Sequence, residues 1–282
     1  MTVETEPTDR VAFAAEWEQW HAQKDEALAG PHGFLAITSL NWLDATPTRF
    51  PDAPGAWSST PDGVLVELSE DEELAYEGRV LHGRHNFGVL AERVSLLPVA
   101  GDAVIEVAKR GGHDIVRPRH PENTLRLAFS GTPAYAPDPA WALTGRYVPF
   151  DTPRPTTVGA VVEGLEHVYD AVGTVEFEAG GAPYRLTAFD GHTPGGLLVL
   201  FTDATSGVTT YAANRSLSIA APDADGTVLV DFNRATNLPC AYTDLATCPL
   251  PPAENRLPLA IEAGERTPTA PAGAAPRSVP AA

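Results

Sequence analysis

The sequence predicts a mainly β protein: an antiparallel β-barrel or sandwich with an N-terminal α-helix and a long proline-rich C-terminal loop. Three observations predict this class. Short apolar runs of strand length recur from residue 64 onward, and glycine, proline or aspartate separates most of them. The 24 glycines and 27 prolines among 282 residues favour many turns over long helices. One N-terminal stretch carries a loose stripe of apolar residues at helical spacing.

The N-terminal helix is predicted to begin near Thr8 or Asp9, which are both favoured N-cap residue types, and to run to about Ala29. The Gly30-Pro31 pair that follows ends it. A helix with one apolar face is expected to dock on a sheet through that face. The apolar stripe consists of Val11, Phe13, Ala14, Trp17, Trp20, His21 and Leu28.

Several β elements can be assigned from their turns. Residues 101–117 predict a hairpin that turns at Gly111-Gly112, and residues 172–189 predict another that turns at Gly180-Gly181. Residues 197–201 (LLVLF) lack polar alternation, which predicts a central strand. Leu125–Phe129 is also interpreted as a short strand.

Composition changes along the chain predict its organisation. Residues 1–8 form an acidic tail and residues 267–282 an Ala/Pro-rich tail, and both are expected to be disordered. Residues 9–120 are expected to hold the helix and a β layer, and residues 121–266 a C-terminal β-core. One continuous sheet system is the alternative to this boundary near residue 120.

The net charge of −18 restricts the partners of the protein. A field of this sign repels phosphate, which argues against nucleic acid and anionic membrane surfaces. The N-terminus lacks an apolar signal region, and no stretch approaches the roughly 18 apolar residues of a membrane helix. Two cysteines without an export signal predict reduced thiols and a cytoplasmic location.

The proline-rich loop, residues 231–256, is the most unusual segment of the chain. It contains both cysteines, and its prolines interrupt helices and strand ladders alike. Apolar residues distributed along the loop as anchors argue against disorder, so we expect a fixed loop across one end of the domain that presents polar groups inward. The prolines are Pro239, Pro249, Pro251 and Pro252.

Three blocks of sequence resemble one known family. They are FTDATSGVTTYAANRSLSI at residues 201–219, VLVDFNRATNLPCAYTDLATCPLPPAENRLPLAIEAGE at residues 228–265, and RHPENTLRLAFSGTPAYAPDPAWALTGRYVPF at residues 119–150. Together they are similar to the bacterial and archaeal family called domain of unknown function 1684, and the resemblance spans roughly residues 10–266. It implies a shared fold and an important proline-rich loop, but it implies no reaction, cofactor or partner.

The sequence departs from that family at one place. Many members have an acidic residue just after the arginine of the middle block, whereas this chain reads Arg117-Pro118-Arg119-His120. Any role of that acidic residue does not transfer to this chain.

Two carboxylates are the candidate catalytic residues. Asp231 ends a strand, where alternation places it on the same face as Asn233, and Glu254 lies later in the same loop. They are suited to general acid–base work or to binding a hard metal ion. A third carboxylate, Asp203, has turn chemistry with Gly207 as its simpler explanation.

Polar residues around these carboxylates are candidates for binding a ligand. Arginine can recognise a carboxylate or phosphate with two parallel hydrogen bonds. The alternative is that the arginines pair with Asp231 and Glu254 and lock the loop in place. The candidates are Tyr211, Arg215, Asn233, Arg234, Asn255 and Arg256.

Cysteines and histidines give weaker indications. Cys240 and Cys248 are compatible with half a zinc site, with a disulfide, or with buried structural thiols. His85 and His192 are the histidines favoured for acid–base chemistry. The sequence lacks the GxSxG, P-loop, HExxH and GxGxxG motifs, which argues against the common enzyme classes that use them.

These observations predict a small-molecule pocket that the proline-rich loop closes, with acid–base or hydrolytic chemistry at Asp231 and Glu254. The alternatives are a non-catalytic ligand-binding module, or a structural or interaction protein in which the loop is a packing clamp. A small-molecule ligand is expected. The sequence assigns no metal ligands, names no cofactor and leaves the oligomeric state and the enzymatic status open.

Overall fold

A computed structural model describes residues 7–268 of the chain. The described chain divides into two compact units. Unit 1 contains residues 7–25, 131–242 and 248–268, and unit 2 contains residues 26–130 and 243–247. Most of both predicted tails, at residues 1–6 and 269–282, lies outside the described residues.

The predicted N-terminal helix is present as α1, Pro7–Leu28. In unit 1 its indole groups anchor it. Trp17 is buried, and its Nε1 donates a hydrogen bond to the backbone oxygen of Asn233 at 2.6 Å. The guanidinium of Arg234 lies 5.3 Å from the ring of Trp20. No helix within residues 7–268 has the length and apolar character needed to cross a membrane.

Unit 2 consists of short antiparallel strands in two sheets. The first has the order β1-β11-β10-β9-β5-β6, with β8 also paired to β10, and the second has the order β2-β3-β4-β7. The strands are β1 (Asn41–Trp42), β2 (Thr48–Phe50), β3 (Ala53–Thr60), β4 (Gly63–Glu67), β5 (Leu74–Tyr76), β6 (Arg79–Leu81), β7 (Arg84–Asn86), β8 (Ser95–Leu96), β9 (Val99–Ala100), β10 (Ala103–Arg110) and β11 (His113–Arg119).

The β10–β11 hairpin confirms the predicted turn. Gly111 and Gly112 both have positive φ, +56° and +82°, which a tight two-residue hairpin turn requires. Alternation along β10 places Ile105 and Val107 in the larger apolar core of unit 2. Ala108 enters a smaller cluster with Leu40 and Ile115, against which Leu245 from the late segment 243–247 packs.

A buried ion-pair network joins these two strands. Arg117 donates to both carboxylate oxygens of Glu106, at 2.8 and 3.0 Å. Arg119 and Arg110 donate to the same carboxylate at 2.5 and 3.0 Å. Burial alone would raise the pKa of Glu106, but the positive charges of Arg117 and Arg119 outweigh it and lower the pKa to about 2.

This network predicts acid sensitivity. A depressed carboxyl pKa contributes stability that is complete above the unfolded-state value near 4.5 and is lost as the pH falls through about 2. We expect the stability difference between wild type and Glu106→Gln to shrink by roughly 3 kcal/mol between pH 5 and pH 2. Urea unfolding of both proteins at several pH values measures this difference. The other carboxylates titrate in both proteins and cancel, so a difference that does not change with pH would contradict the prediction.

One short prediction is wrong. Leu125–Phe129 does not form a strand, because a single helical turn, α2 (Thr124–Leu127), occupies this segment. The side chain of Asn123 caps that turn by accepting a hydrogen bond from the backbone N–H of Leu125 at 2.9 Å. The apolar run is too short to show a helical or a strand period, so the sequence alone did not distinguish the two. The Asn123 cap favours the helical turn.

Unit 1 contains one antiparallel sheet with the order β17-β12-β13-β14-β15-β16-β18. The interior position of β15 confirms the predicted central strand, and the β13–β14 hairpin turns at Gly180-Gly181 as predicted. The strands are β12 (Ala142–Gly159), β13 (Glu166–Ala179), β14 (Ala182–Asp190), β15 (Leu197–Phe201), β16 (Arg215–Ile219), β17 (Thr227–Asp231) and β18 (Thr236–Asn237).

The sheet of unit 1 bends around its own core. Side chains from β13 to β17 enter a single buried cluster with Phe232, Leu257 and Ile261. No strand pairing among residues 7–268 joins β17 to β18, so hydrogen bonds between described strands do not close a barrel. The protein is therefore mainly β, with antiparallel sheets and one long N-terminal helix.

Candidate functional site

The proline-rich loop is a chain of short turns held by backbone pairing within unit 1. After β17 come a 3-10 turn at Phe232–Arg234, the strand β18 and a second 3-10 turn at Pro239–Ala241. Further on, the backbone N–H of Leu250 donates to Gly159 at 2.7 Å, and that of Val161 donates to Cys248 at 3.0 Å. These bonds pin the later half of the loop to the end of β12.

Asp231 and Asn233 form a buried hydrogen-bonded group at the end of β17. One oxygen of Asp231 accepts hydrogen bonds from the backbone and the side-chain nitrogen of Asn233, at 3.0 and 2.9 Å. The Asn233 side chain also exchanges two hydrogen bonds with the backbone of Asp138, at 2.8 and 2.9 Å. Arg234 approaches the second oxygen of Asp231 at 3.4 Å. Strand alternation was predicted to place Asp231 and Asn233 on one face, but Asn233 lies in the 3-10 turn after β17, and the two side chains meet through that turn.

Arg215 is fully buried and its guanidinium is extensively bonded. It donates to the buried carboxylate of Asp203 at 3.2 Å and to the backbone oxygens of Ile261, at 3.2 Å, and Ala263. The guanidinium lies 5.2 Å from the ring of Phe201. Burial lowers the pKa of Arg215, and the charge of Asp203 opposes that effect. Arg215 therefore joins β16 to the segment that follows the loop.

Asn255 is buried and joins the loop to β14 and β15 through side-chain hydrogen bonds. Its side chain accepts from the backbone N–H of Thr187 at 2.7 Å and donates to the backbone oxygens of Thr187 and Leu200, at 2.9 and 2.8 Å. The neighbouring Glu254 and Arg256 are exposed, and Glu254 accepts a hydrogen bond from the Thr187 hydroxyl at 3.0 Å.

The predicted site residues therefore occupy separate contacts. Asp231, Asn233 and Arg234 lie together at the end of β17, whereas Glu254 and Asn255 lie in a later turn of the loop and contact Thr187 of β14. The Tyr211 hydroxyl donates to the backbone oxygen of Cys240 at 2.9 Å. Among the hydrogen bonds and ion pairs described for residues 7–268, none joins Asp231 to Glu254. Their predicted catalytic roles remain predictions.

Both cysteines are buried free thiols. The backbone N–H of Cys240 points at the sulfur of Cys248, 3.3 Å away. The hydrogen bond between the two side chains and then burial raise the pKa of Cys240 far above its ordinary value. Burial of both thiols is what the third alternative expected. His85 packs edge-on against Phe87, and His192 is exposed.

A different set of residues in unit 1 brings titratable groups together. We call it the Glu265 cluster and define it as His21, Lys24, Asp25, Thr132, Tyr242 and Glu265. The first three lie on one face of α1, because positions three and four apart are neighbours on a helix. Glu265 follows Gly264, whose φ is +74°. A Cβ on Gly264 would lie only 2.5 Å from the backbone oxygen of Ala235, so glycine is needed to place Glu265.

The carboxylate of Glu265 is contacted on both oxygens. Lys24 forms an ion pair with Oε1, and Nε2 of His21 lies 3.3 Å from the same oxygen. On the other side, the backbone N–H of Asn237 donates to Oε2 at 2.6 Å, and the Tyr242 hydroxyl lies 3.4 Å from it. The proline-rich loop thus supplies two of the groups that hold Glu265.

A second carboxylate continues the cluster. Asp25 accepts hydrogen bonds from the backbone N–H and the hydroxyl of Thr132, at 2.9 and 2.7 Å. That hydroxyl also lies 2.9 Å from the hydroxyl of Tyr242. Asp25, Thr132, Tyr242 and Glu265 are therefore linked in one continuous polar chain.

Burial and neighbouring charges shift the pKa values of Glu265 and Tyr242 in opposite directions. Burial by itself would raise the pKa of Glu265, but the His21 imidazole and the Lys24 ammonium lower it, so Glu265 is ionised. Burial, and then the charge of Glu265, raise the pKa of Tyr242 far above its ordinary value, so Tyr242 keeps its proton. The Glu265 side chain is 1% exposed, whereas His21 and Lys24 are 12% and 23% exposed. Glu265 is therefore shielded from solvent, and solvent contacts the cluster at His21 and Lys24 on α1.

Sequence reasoning missed this cluster because it assigned His21 to the apolar stripe of α1. The ring of His21 does stack on Trp17, with centroids 4.7 Å apart, so the assignment was right about the packing. The available signal was the polar set at positions 21, 24 and 25 on the face that also carries Trp17. Nothing in the sequence indicated that Glu265, more than 200 residues later, meets that face.

Unit 2 contains an open cavity of about 770 Å³. Two of the charged groups that line it, Arg49 and Glu72, are bonded to each other at 2.7 and 3.1 Å, and Asp52 and His120 line it as well. Glu72 also accepts hydrogen bonds from Gly55 and Ser69. These contacts satisfy the pair within the fold, so the cavity offers less chemistry than the Glu265 cluster.

Comparison with known proteins gives a family and no activity. No curated protein matches the chain. An uncharacterized protein of Haloarcula marismortui, with a solution NMR structure, is 33% identical over 50% of this chain and 79% of its own, with a TM-score of 0.42. The family model described as protein of unknown function (DUF1684) matches residues 127–266, which include β12–β18, the proline-rich loop and Glu265. The chain belongs to the DUF1684 family, as its three sequence blocks predicted.

Proposed function

We propose that the protein binds a small polar molecule at the Glu265 cluster and performs acid–base or hydrolytic chemistry on it. One observation carries the proposal: a fully buried, ionised carboxylate faces a lysine and a histidine that retain contact with solvent. Buried groups with shifted pKa values next to accessible charged groups are typical of functional sites.

The cluster supplies groups that can hold and orient a small polar molecule. Glu265 is ionised and can accept a hydrogen bond, Tyr242 keeps its proton and can donate a hydrogen bond, and Lys24 can hold a negatively charged part of the ligand. Asn237 and Tyr242 belong to the proline-rich loop, so in this proposal the loop closes the site from one side. The bent sheet of unit 1 serves as the barrel-like or sandwich-like scaffold.

The bonds of the predicted site residues favour a second function for the loop. The side chains of Asn233, Asn255 and Arg215 donate hydrogen bonds to backbone oxygens or to buried carboxylates of the same unit, which supports a packing clamp. Under this alternative the loop stabilises the fold and no small molecule binds.

A thermal-shift screen tests the proposal. The probes are a panel of small carboxylates, phosphates, amines and sugars at millimolar concentration. At least one is expected to raise the melting temperature of wild type by several degrees and to lose its effect on Lys24→Met and His21→Gln. Glu18→Gln, an exposed change on the same helix, is the matched control and should keep the effect. A panel without a hit, or hits that survive both cluster substitutions, would contradict the proposal.

Turnover of each hit, followed by NMR, tests the predicted catalytic residues. If Asp231→Asn or Glu254→Gln abolishes turnover and leaves the melting temperature unchanged, catalysis involves that residue. If Asp231→Asn instead lowers stability and leaves turnover intact, the role of the carboxylate is structural and consists of its contacts with Asn233 and Arg234.

A further inference from the structure

We infer that the Glu265 cluster is a divalent metal site, with His21, Asp25 and Glu265 as the protein ligands. This inference rests on the proposed function and names its cofactor. Each of the three residues offers one ligand atom, and these atoms lie within 4.8 Å of one another. Three protein ligands and an open position are the arrangement of catalytic rather than structural metal sites.

The histidine gives an independent indication. Nε2 of His21 is buried and makes no hydrogen bond to any residue within 7–268. Nε2 lies 3.3 Å from Oε1 of Glu265, which is close enough for an ion pair, but the two atoms lack the geometry of a hydrogen bond. The ion-pair contact with Glu265 therefore leaves this buried nitrogen without a hydrogen bond, and a metal ion between the imidazole and the carboxylate would bind both.

The two carboxylates are held as metal ligands usually are. Asp25 accepts two hydrogen bonds from Thr132, and Glu265 accepts one from the backbone of Asn237. The Tyr242 hydroxyl lies close to both Thr132 and Glu265 and links the two supports. Such outer contacts orient ligands and reduce the cost of assembling them around an ion.

Geometry and charge set two requirements for binding. Donor atoms about 2.1 Å from one ion lie no more than about 4.2 Å apart, so any pair of these atoms separated by close to the 4.8 Å bound must move together when an ion binds. Lys24 must also release Oε1 of Glu265, because its ammonium is a competing cation. Its long side chain is 23% exposed, which allows the ammonium to move into solvent.

The donor set points to the kind of ion. One imidazole and two carboxylates give two negative charges, which match a divalent cation once Lys24 has moved. Imidazole favours zinc and other transition metals, whereas carboxylates also suit manganese. We therefore expect Zn²⁺ or Mn²⁺ in preference to Ca²⁺. In the hydrolytic form of the proposed function, such an ion would lower the pKa of bound water.

Isothermal titration of tag-free full-length protein with Zn²⁺ and, separately, Mn²⁺ tests the site without any substrate. Wild type is expected to bind one equivalent of at least one ion. His21→Ala and Asp25→Asn should each weaken that binding at least tenfold, and Glu18→Gln should not change it. Lys24→Met should tighten it about tenfold, because it removes the competing ammonium. A structural ion pair alone predicts no gain from this change.

The outcomes separate this inference from the proposed function. Absence of binding, or binding that neither His21→Ala nor Asp25→Asn weakens, would overturn the metal site. Circular dichroism of each variant shows whether it is folded, and His21→Gln replaces His21→Ala if the latter is not. If small molecules still bind through Lys24 while neither metal ion binds, the proposed function stands and the metal site fails. Opposite effects of Lys24→Met, weaker ligand binding and tighter metal binding, would support both.

Discussion

Replacing Arg215 with methionine is expected to lower the free energy of unfolding by about 3–5 kcal/mol. The change removes the guanidinium from a fully buried position and leaves the carboxylate of Asp203 without its ion-pair partner. The backbone oxygens of Ile261 and Ala263 lose a donor as well. An uncompensated buried charge is among the most costly defects in a protein interior. Urea denaturation measures the loss.

Arg185→Met is the matched control, because Arg185 lies exposed on β14 of the same sheet. We expect it to change stability by less than about 0.5 kcal/mol. A similar small effect at Arg215 would show that this arginine is not a structural residue, and would return it to the ligand-binding role predicted from the sequence.

Exchanging Asn255 for aspartate is expected to cost about 3–5 kcal/mol at pH 7. The substitution keeps the shape of the side chain but removes the donor that bonds to the oxygens of Thr187 and Leu200. A carboxylate would then face two backbone oxygens in a buried place, at about 1–3 kcal/mol for each unsatisfied group. The loss should be smaller at pH 4, because the protonated carboxyl can donate one hydrogen bond.

The adjacent Glu254→Gln provides the comparison. Glu254 is exposed, and an amide oxygen can still accept the hydrogen bond from Thr187. Stability should therefore change little in this variant. If Asn255→Asp were equally mild and instead reduced ligand binding, Asn255 would belong to a binding site rather than to a clamp.

The fold class was predictable where local rules decide the structure. Gly-Gly pairs predicted two hairpins, because few other residues adopt positive φ twice in succession, and LLVLF predicted a central strand because it lacks a polar face. Leu125–Phe129 failed because one helical turn is too short to show a period. The division at residues 130 and 131 depends on contacts between distant segments, which periodicity does not report.

The site was harder to predict for the same reason. The loop was expected to present polar groups inward; Asp231, Asn233 and Asn255 are buried, whereas Glu254 and Arg256 are exposed. Sequence reasoning could not decide whether those groups meet a ligand or one another. The Glu265 cluster joins α1 to the end of the described chain, and a contact of that range leaves no trace in local spacing.

The packing of Leu245 against Leu40, Ala108 and Ile115 affects how the protein emerges from the ribosome. Translation at about 5–20 residues per second leaves this part of unit 2 without its last apolar side chain for on the order of ten seconds. The nascent chain must meanwhile keep an incomplete core in water, where it is open to chaperones and to aggregation. Nucleation of unit 2 therefore relies on nearby partners such as the β10–β11 hairpin, and its completion waits for late translation.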